Sequence, residues 1–472
     1  MYIIMENRPG SAGGFSFTYS SEGEMRAELL DSFDYLLLNK GLCLFQKKGG
    51  GFSLFSQSGV AEYDSMDSLK SIVEPVIKPR ALINKHELKI NRYSVSMLDD
   101  LEKTVARGEL YLIGEEDACV SVMRLEPLRG YEAETVEGVA ALGDTAEEKQ
   151  FSAAVIHALK STGDPMLTYS SKPVLNLEPD MTLFDVMGDI YAHLMDVMAV
   201  NADGIINDID IEFLHDFRVS VRRTRSAMSL VRGVYSREKA KLFKERFREL
   251  GGLTGMARDM DVYLENLGGY RSILPEWLKD GLGELEIHFR KVRSREYMKL
   301  SKYLSSGGFE SLRAEWTAFI KDGANMGPKG AKSVLPAAKK AIRTVFAEID
   351  RQASVLTHES HSDDVHAIRI SFKKIRYLME FYSSLFDREK ISPMLKDMKV
   401  LQDSLGDHND LHVQQLMLES LIESGKWSTL TATACGFLSA VLAGRQAAER
   451  ERALTLIEGF MGYRELFGEL FS

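Results

Sequence analysis

Two hydrophobic patterns divide the chain. From about Tyr2 to Leu142 the apolar residues fall in short alternating runs separated by glycine and polar clusters, which reads as strands and turns. Leu42 to Leu54, broken by Gly49-Gly50-Gly51, reads as a hairpin, and Glu109–Ile113 and Cys119–Arg124 read as further strands. Met66–Val73 is the exception, a short helix or turn. From about Leu177 onward apolar residues recur at helical spacing with few prolines. The predicted helices are Leu183–Ala199, Phe213–Tyr235, Arg237–Gly251, Asp259–Leu267, Pro275–Leu304, Lys332–Val355, Val365–Phe386, Ile391–Leu405, Asn409–Ser424 and Leu430–Gly459. The expected class is therefore α+β, with a β-rich domain over 1–170 and an all-α domain over 177–472. Ser170–Pro179, polar and with two prolines, is the expected linker.

The helical part repeats itself at an offset of 151 residues. His215 falls on His366, Arg218 on Arg369, Arg225 on Arg376, and Arg222-Arg223 on Lys373-Lys374. Further on, Arg248 falls on Lys399, Gly255 on Gly406, Asp259 on Asp410 and Val262 on Val413. Two unrelated amphipathic helices would share apolar character, but not a histidine and several cations in register. The expected units are about 177–325 and 328–472, packed about a pseudo-two-fold axis.

On a helical wheel His215, Arg218, Arg222 and Arg225 fall within ~80° of arc, opposite Leu214, Phe217, Val221 and Met228. His366, Arg369, Lys373 and Arg376 form the matching stripe, backed by Val365, Ile368, Phe372 and Met379. Asp210 and Ser362 precede these helices as candidate N-caps. Like charges three or four residues apart repel, and a solvated face relieves this with interleaved glutamates. Neither stripe contains a carboxylate. Two such unrelieved stripes, facing each other, would make one basic groove.

Composition narrows the ligand. The net charge of −10 argues against a surface that is basic throughout, so the excess acid is expected away from the stripes. Three widely spaced cysteines, Cys43, Cys119 and Cys435, fit a reducing compartment. No apolar run approaches the ~20 residues of a membrane span, and the chain opens without a signal-like pattern, so a cytoplasmic protein without membrane partners is expected. His358, His361, Asp363, Asp364 and His366, together with His408 and His412, are metal-ligand types. His408 and His412 fall on Ala257 and Asp261 in the first repeat and lack the glutamate of a zinc-protease motif, so no metal or other cofactor is expected. Single-strand nucleic-acid binders stack bases on aromatic platforms. Only Tyr377 borders a stripe, and Ser226 replaces it in the other copy, so no specific nucleic acid is expected.

Leu214-His215-Asp216-Phe217-Arg218-Val219-Ser220-Val221-Arg222-Arg223-Thr224-Arg225 resembles the signature helix of the CHAD family, the conserved histidine α-helical domain. Val365 to Tyr377 resembles its second signature helix, and Gly255–Val262 and Leu401–Leu411 are similar to its later motifs. The resemblance covers about Leu177 to Phe471. It implies two pseudo-symmetric four-helix bundles that bind inorganic polyphosphate in a basic groove, and association with polyphosphate granules. Lys40–Leu54 and Arg124–Glu134 are similar to parts of the CYTH triphosphatase family, which is often fused to CHAD. That family opens on an E-x-E-x-K strand that binds metal and triphosphate, whereas Met1 to Arg8 holds one glutamate. The first domain is therefore expected to be a degenerate CYTH-like fold without triphosphatase chemistry and without catalytic residues.

Polyphosphate is a flexible polyanion without bases, so charge and hydrogen bonding must recognise it. Arg218, Arg222, Arg225, Arg369 and Arg376 suit paired contacts with phosphoryl oxygens, and Arg223, Lys373, Lys374, Arg248 and Lys399 suit outer contacts. His215 and His366 suit hydrogen-bond donation without catalysis. Asp259 and Asp410 have two readings, as helix N-caps after Gly255 and Gly406 or as groups that orient a stripe residue. A metal-dependent triphosphatase with CHAD as a substrate tether is the alternative function, and a scaffold recruiting a protein partner is a third.

Overall fold

The computed structural model describes residues 2–5, 8–114, 119–142, 150–160, 165–173 and 175–472. Glu6, the one glutamate of the opening segment, and Val174 of the expected linker lie outside them. The chain divides between Tyr169 and Ser170 into two compact units.

The first unit contains β1 (Tyr2–Met5), β2 (Ser11–Ala12), β3 (Phe15–Asp31), α1 (Leu36–Asn39), β4 (Cys43–Lys47), β5 (Phe52–Ser56), β6 (Gly59–Tyr63), α2 (Lys70–Ile77), β7 (Ile83–Leu98), β8 (Thr104–Ile113), β9 (Val120–Pro127), α3 (Glu132–Ala140) and α4 (Phe151–Lys160). The strands form one antiparallel sheet in the order β1-β9-β8-β7-β3-β4-β5-β6, with β2 on β3. The expected hairpin is β4–β5; Gly50 and Gly51 turn it at φ 94° and 80°, where a side chain would be strained. The longest strands, β3 and β7, escape the sequence pattern. In the middle of β3 Ser20–Glu24 is exposed on both faces, yet the two strands pair from Ser16↔Leu98 to Asp31↔Ile83, and Phe15, Phe17, Val95 and Met97 bury a second apolar core beyond it. Three helices were also unmarked by the pattern: α1, α3 and α4.

One face of the sheet curls around an apolar core of Ala27, Leu29, Phe45, Phe55, Ile90, Ile113 and Val122. Helix α4 plugs it: Phe151 stacks on Phe55 at 4.1 Å and meets Tyr2 and Tyr111 edge-on. Beyond the plug the same face becomes charged. A cavity of about 450 Å³ is lined by Glu62, Arg92, Arg107, Glu109, Arg124 and Glu126.

The second unit is helical: α5 (Leu183–Ile206), α6 (Ile211–Leu230), α7 (Arg237–Ile273), α8 (Leu282–Ser305), α9 (Gly308–Lys321), α10 (Val334–Ala353), α11 (Ser362–Phe381), α12 (Arg388–Glu423), α13 (Thr429–Met461) and α14 (Arg464–Phe471). Helices α5 to α8 pack as one bundle and α10 to α13 as its copy, with α9 and α14 as additional helices. Helix α6 and helix α11 begin and end 151 residues apart, and α5 and α10 begin 151 apart. The axis relating them is visible in the backbone. Thr182 bridges Ser333, and Leu183 N–H donates to Lys332 O while Val334 N–H donates to Met181 O, both at 2.9 Å. These reciprocal bonds join residues that correspond in the repeat, so the sequence offset is a physical two-fold.

Helices α7 and α12 each run through the break expected near Gly255 and Gly406. A helical glycine costs only about 1 kcal/mol, and buried Phe247, Leu250, Ala257 and Met260 hold α7 through it. Asp259 and Asp410 thus lie inside helices and cap nothing. Asp210 does cap α6, accepting from Glu212 N–H at 2.9 Å and Phe213 N–H at 3.3 Å. Ser362 does not cap α11; His361 does, with Asp364 reaching back to its N–H at 3.2 Å. Among the described residues no helix is long and apolar enough to cross a membrane.

Candidate functional site

The cationic stripes lie on α6 and α11, which pack together. Their buried sides are Phe213, Leu214, Phe217 and Val221 on α6, and Val365, Ile368, Phe372 and Ile375 on α11. That burial fixes helix rotation and turns the cations to the opposite side. Arg222 is exposed, and its Nε–H donates to Tyr377 OH across the axis at 3.1 Å. Tyr377 itself is buried, so it is a tether and no stacking platform.

Arg218 donates from Nη1 to Gly251 O and Thr254 Oγ1 of α7, each at 3.2 Å. Burial holds its pKa below the ordinary arginine value, with Asp259 opposing and Arg222, Arg258 and Arg225 reinforcing. Arg225 lies against Gly251, and its buried Nε–H has no hydrogen-bond partner. Arg369 has the same defect at Nε and sits 3.8 Å from Asp410. Its pKa is also depressed, chiefly by burial. Lys373 is pulled down to about 7 by burial and then by Arg222 and Arg369, with only Asp410 opposing. His366 Nδ1 is 2.9 Å from Asn409 Oδ1, and Asn409 Nδ2 donates to Asp410 at 3.1 Å. His215 is half-buried on α6.

The remaining predicted residues are placed differently. Arg223 is buried; it donates to Ser171 O and to Glu380 at 3.3 Å, so it is a structural tie between α6 and α11 instead of an outer contact. Arg376 is held by Glu380 at 2.8 Å and by Gln402 at 3.0 Å, leaving few donors free. Lys374 adds, after Arg351, to the positive field that holds the Glu348 carboxyl of α10 below its usual range. Arg248 pairs with Glu245 at 2.7 Å on an exposed face of α7, and Lys399 is exposed on α12.

The charge segregation expected from composition is incomplete. Glu380 enters from α11 itself, and Asp259 and Asp410 enter from α7 and α12. Asp259 keeps solvent access, yet local burial raises its carboxyl above the usual range, and Asp410 adds to that while Arg218 and Arg258 oppose it. Three contributors went unassigned in the sequence. Arg258 anchors to Ile211 O at 3.2 Å near Arg218, Gln402 holds Arg376, and Asn409 orients His366. Only repeat geometry could have flagged Arg258, which takes the place of Asn409 in the first copy. The histidines do not converge: His358 meets Glu451, His361 caps α11, His366 meets Asn409, and buried His408 faces Gln446 at 3.4 Å.

A duplicated helical unit carrying paired cationic helices across a two-fold axis is thus the class of the second unit. Residues 189–419 match the sequence profile of the CHAD domain. The crystal structure of the CHAD domain from the plant Ricinus communis is similar over 62% of this chain and 95% of that one, at 24% identity and a TM-score of 0.52. PptA from Streptomyces chartreusis is similar over 60% of this chain and 100% of its own, at 14% identity and a TM-score of 0.48. No curated protein matches the chain.

Proposed function

We propose that the helical unit binds inorganic polyphosphate across the α6 and α11 stripes and does not transform it. CHAD domains are associated with polyphosphate binding. The observation that carries the reading is the set of desolvated, under-satisfied cations at the axis. Arg225 and Arg369 each hold a buried Nε–H without a partner, and Arg218, Arg369 and Lys373 are all destabilised as cations. Buried donors left unpaired cost free energy, and an arriving phosphoryl oxygen recovers it. Arg218, Arg222, Arg225, Arg369 and Lys373 make the direct contacts, with His215 and His366 as further donors. Arg248 and Lys399 add long-range attraction, while Arg223 and Arg376 hold the scaffold. Residence in the cytoplasm, at polyphosphate granules, belongs to the same reading.

The second reading, a triphosphatase in the first unit, draws on the charged cavity. Its charges largely satisfy each other: Arg92 pairs with Glu109, Arg124 with Glu126 at 2.8 Å, and nearby Lys47 with Glu62 at 2.5 Å. Where the CYTH pattern would present carboxylates for a metal, β1 presents buried Tyr2 and Ile3, and Tyr2 joins the apolar core with Ile4 against it. These residues do not fit a metal site. Incubation with tripolyphosphate and Mg²⁺ or Mn²⁺ should release no phosphate while long-chain polyphosphate binds; robust turnover would overturn the non-catalytic reading.

A further inference from the structure

A separate site lies where the repeats join. The end of α6, the start of α10 and the segment 329–333 enclose a cavity of about 710 Å³, a size typical of small-molecule sites. Its floor is apolar, built from Leu183, Val231, Ala341 and Val345, with Leu183 and Val345 buried. Arg232, Lys329, Lys332 and Lys340 surround that floor, and among the described residues no carboxylate lines the cavity. Arg232 spends its Nε–H on Ser229 O at 3.0 Å, leaving the rest of its guanidinium free of that bond.

Four cations around an apolar floor do not suit polyphosphate, which has nothing apolar to bury. They also do not suit a neutral apolar ligand, which gains nothing from the charges. We propose that this cavity binds a small amphipathic anion, a phosphate or carboxylate head on an apolar body. The head meets Arg232, Lys329, Lys332 and Lys340, and the body covers Ala341 and Val345. The site uses none of the stripe residues, so it stands whether or not polyphosphate is the ligand of α6 and α11.

Calorimetric titration of the full chain with octyl phosphate tests this, with octanol and inorganic phosphate as controls for tail and head. Octyl phosphate should bind saturably at one site, and each control should bind at least about tenfold more weakly. Arg232→Glu with Lys340→Glu, both exposed, should weaken octyl phosphate about tenfold or more. Ala341→Trp, which fills the floor, should abolish its binding while polyphosphate affinity stays unchanged. Octyl phosphate binding no tighter than octanol, or binding indifferent to both variants, would overturn the proposal. Binding to vesicles containing phosphatidic acid with none to monomeric octyl phosphate would overturn it equally.

Discussion

The two repeats share one backbone plan but treat their arginines differently. Arg376 in the second copy is held by Glu380 and Gln402. In the first copy those partners are replaced by Ser229 and Gly251, and Arg225 keeps an unpaired buried Nε–H. The second copy also carries Lys373 where the first carries Arg222, and burial pulls the pKa of the Lys373 ammonium down to about 7. Duplication preserved the helix geometry, while the exchange of Ser229 for Glu380 and Gly251 for Gln402 leaves Arg376 paired and Arg225 unpaired at Nε. Symmetric position therefore does not imply symmetric contribution.

The sharpest test removes what the copies share. Arg218→Ala with Arg369→Ala should weaken long-chain polyphosphate binding by about 3 kcal/mol or more, roughly a hundredfold, in a fluorescence titration. Unchanged affinity would reduce the stripes to ordinary surface. The next test separates the copies. Arg225→Ala should cost roughly tenfold in affinity and little stability, whereas Arg376→Ala should cost about 1–2 kcal/mol in urea unfolding and less in binding, because it strips a partner from partly buried Glu380. Equal effects at the two positions would erase the asymmetry.

A smaller effect concerns pH. Lys373 faces Arg222, Arg369, Arg376 and Asp410, and its pKa of about 7 lies below the ordinary lysine value. Between about 7 and that ordinary value the unfolded chain binds more protons than the folded one, so Lys373 makes stability rise with pH in that window. Bound polyphosphate favours the cation, so binding should take up a proton and weaken as pH rises above about 7. Calorimetry in buffers of different ionisation enthalpy measures the uptake, and Lys373→Arg should abolish it. The smallest effect is expected at Arg248→Ala, within about 0.5 kcal/mol, because its exposed pair with Glu245 is one helical turn of solvated charge.

The repeat was legible because histidine and arginine at a fixed offset are not what packing alone selects. The same signal could not show which arginines were already occupied. Glu380 lies four residues beyond Arg376 on the same helix and was readable in principle, but Gln402 and Asp410 reach their arginines from α12, and only folding brings them there. Gly255 and Gly406 looked like helix ends, because a glycine is a weak breaker that a well-packed helix overrides. In the first unit the length of β3 was hidden because Ser20–Glu24 is polar on both faces, and the backbone ladder to β7 carries the strand across that stretch. The missing E-x-E pattern was legible, and the structure adds what took its place, Tyr2 packed against Phe151.

The central claim is that the stripes select a dense polyanion without bases. Long-chain polyphosphate and single-stranded RNA of equal length should be titrated against the full chain at several salt concentrations. Polyphosphate should bind more tightly at every concentration, with affinity falling linearly on logarithmic axes as salt rises. Equal affinity for the two polymers would contradict the account.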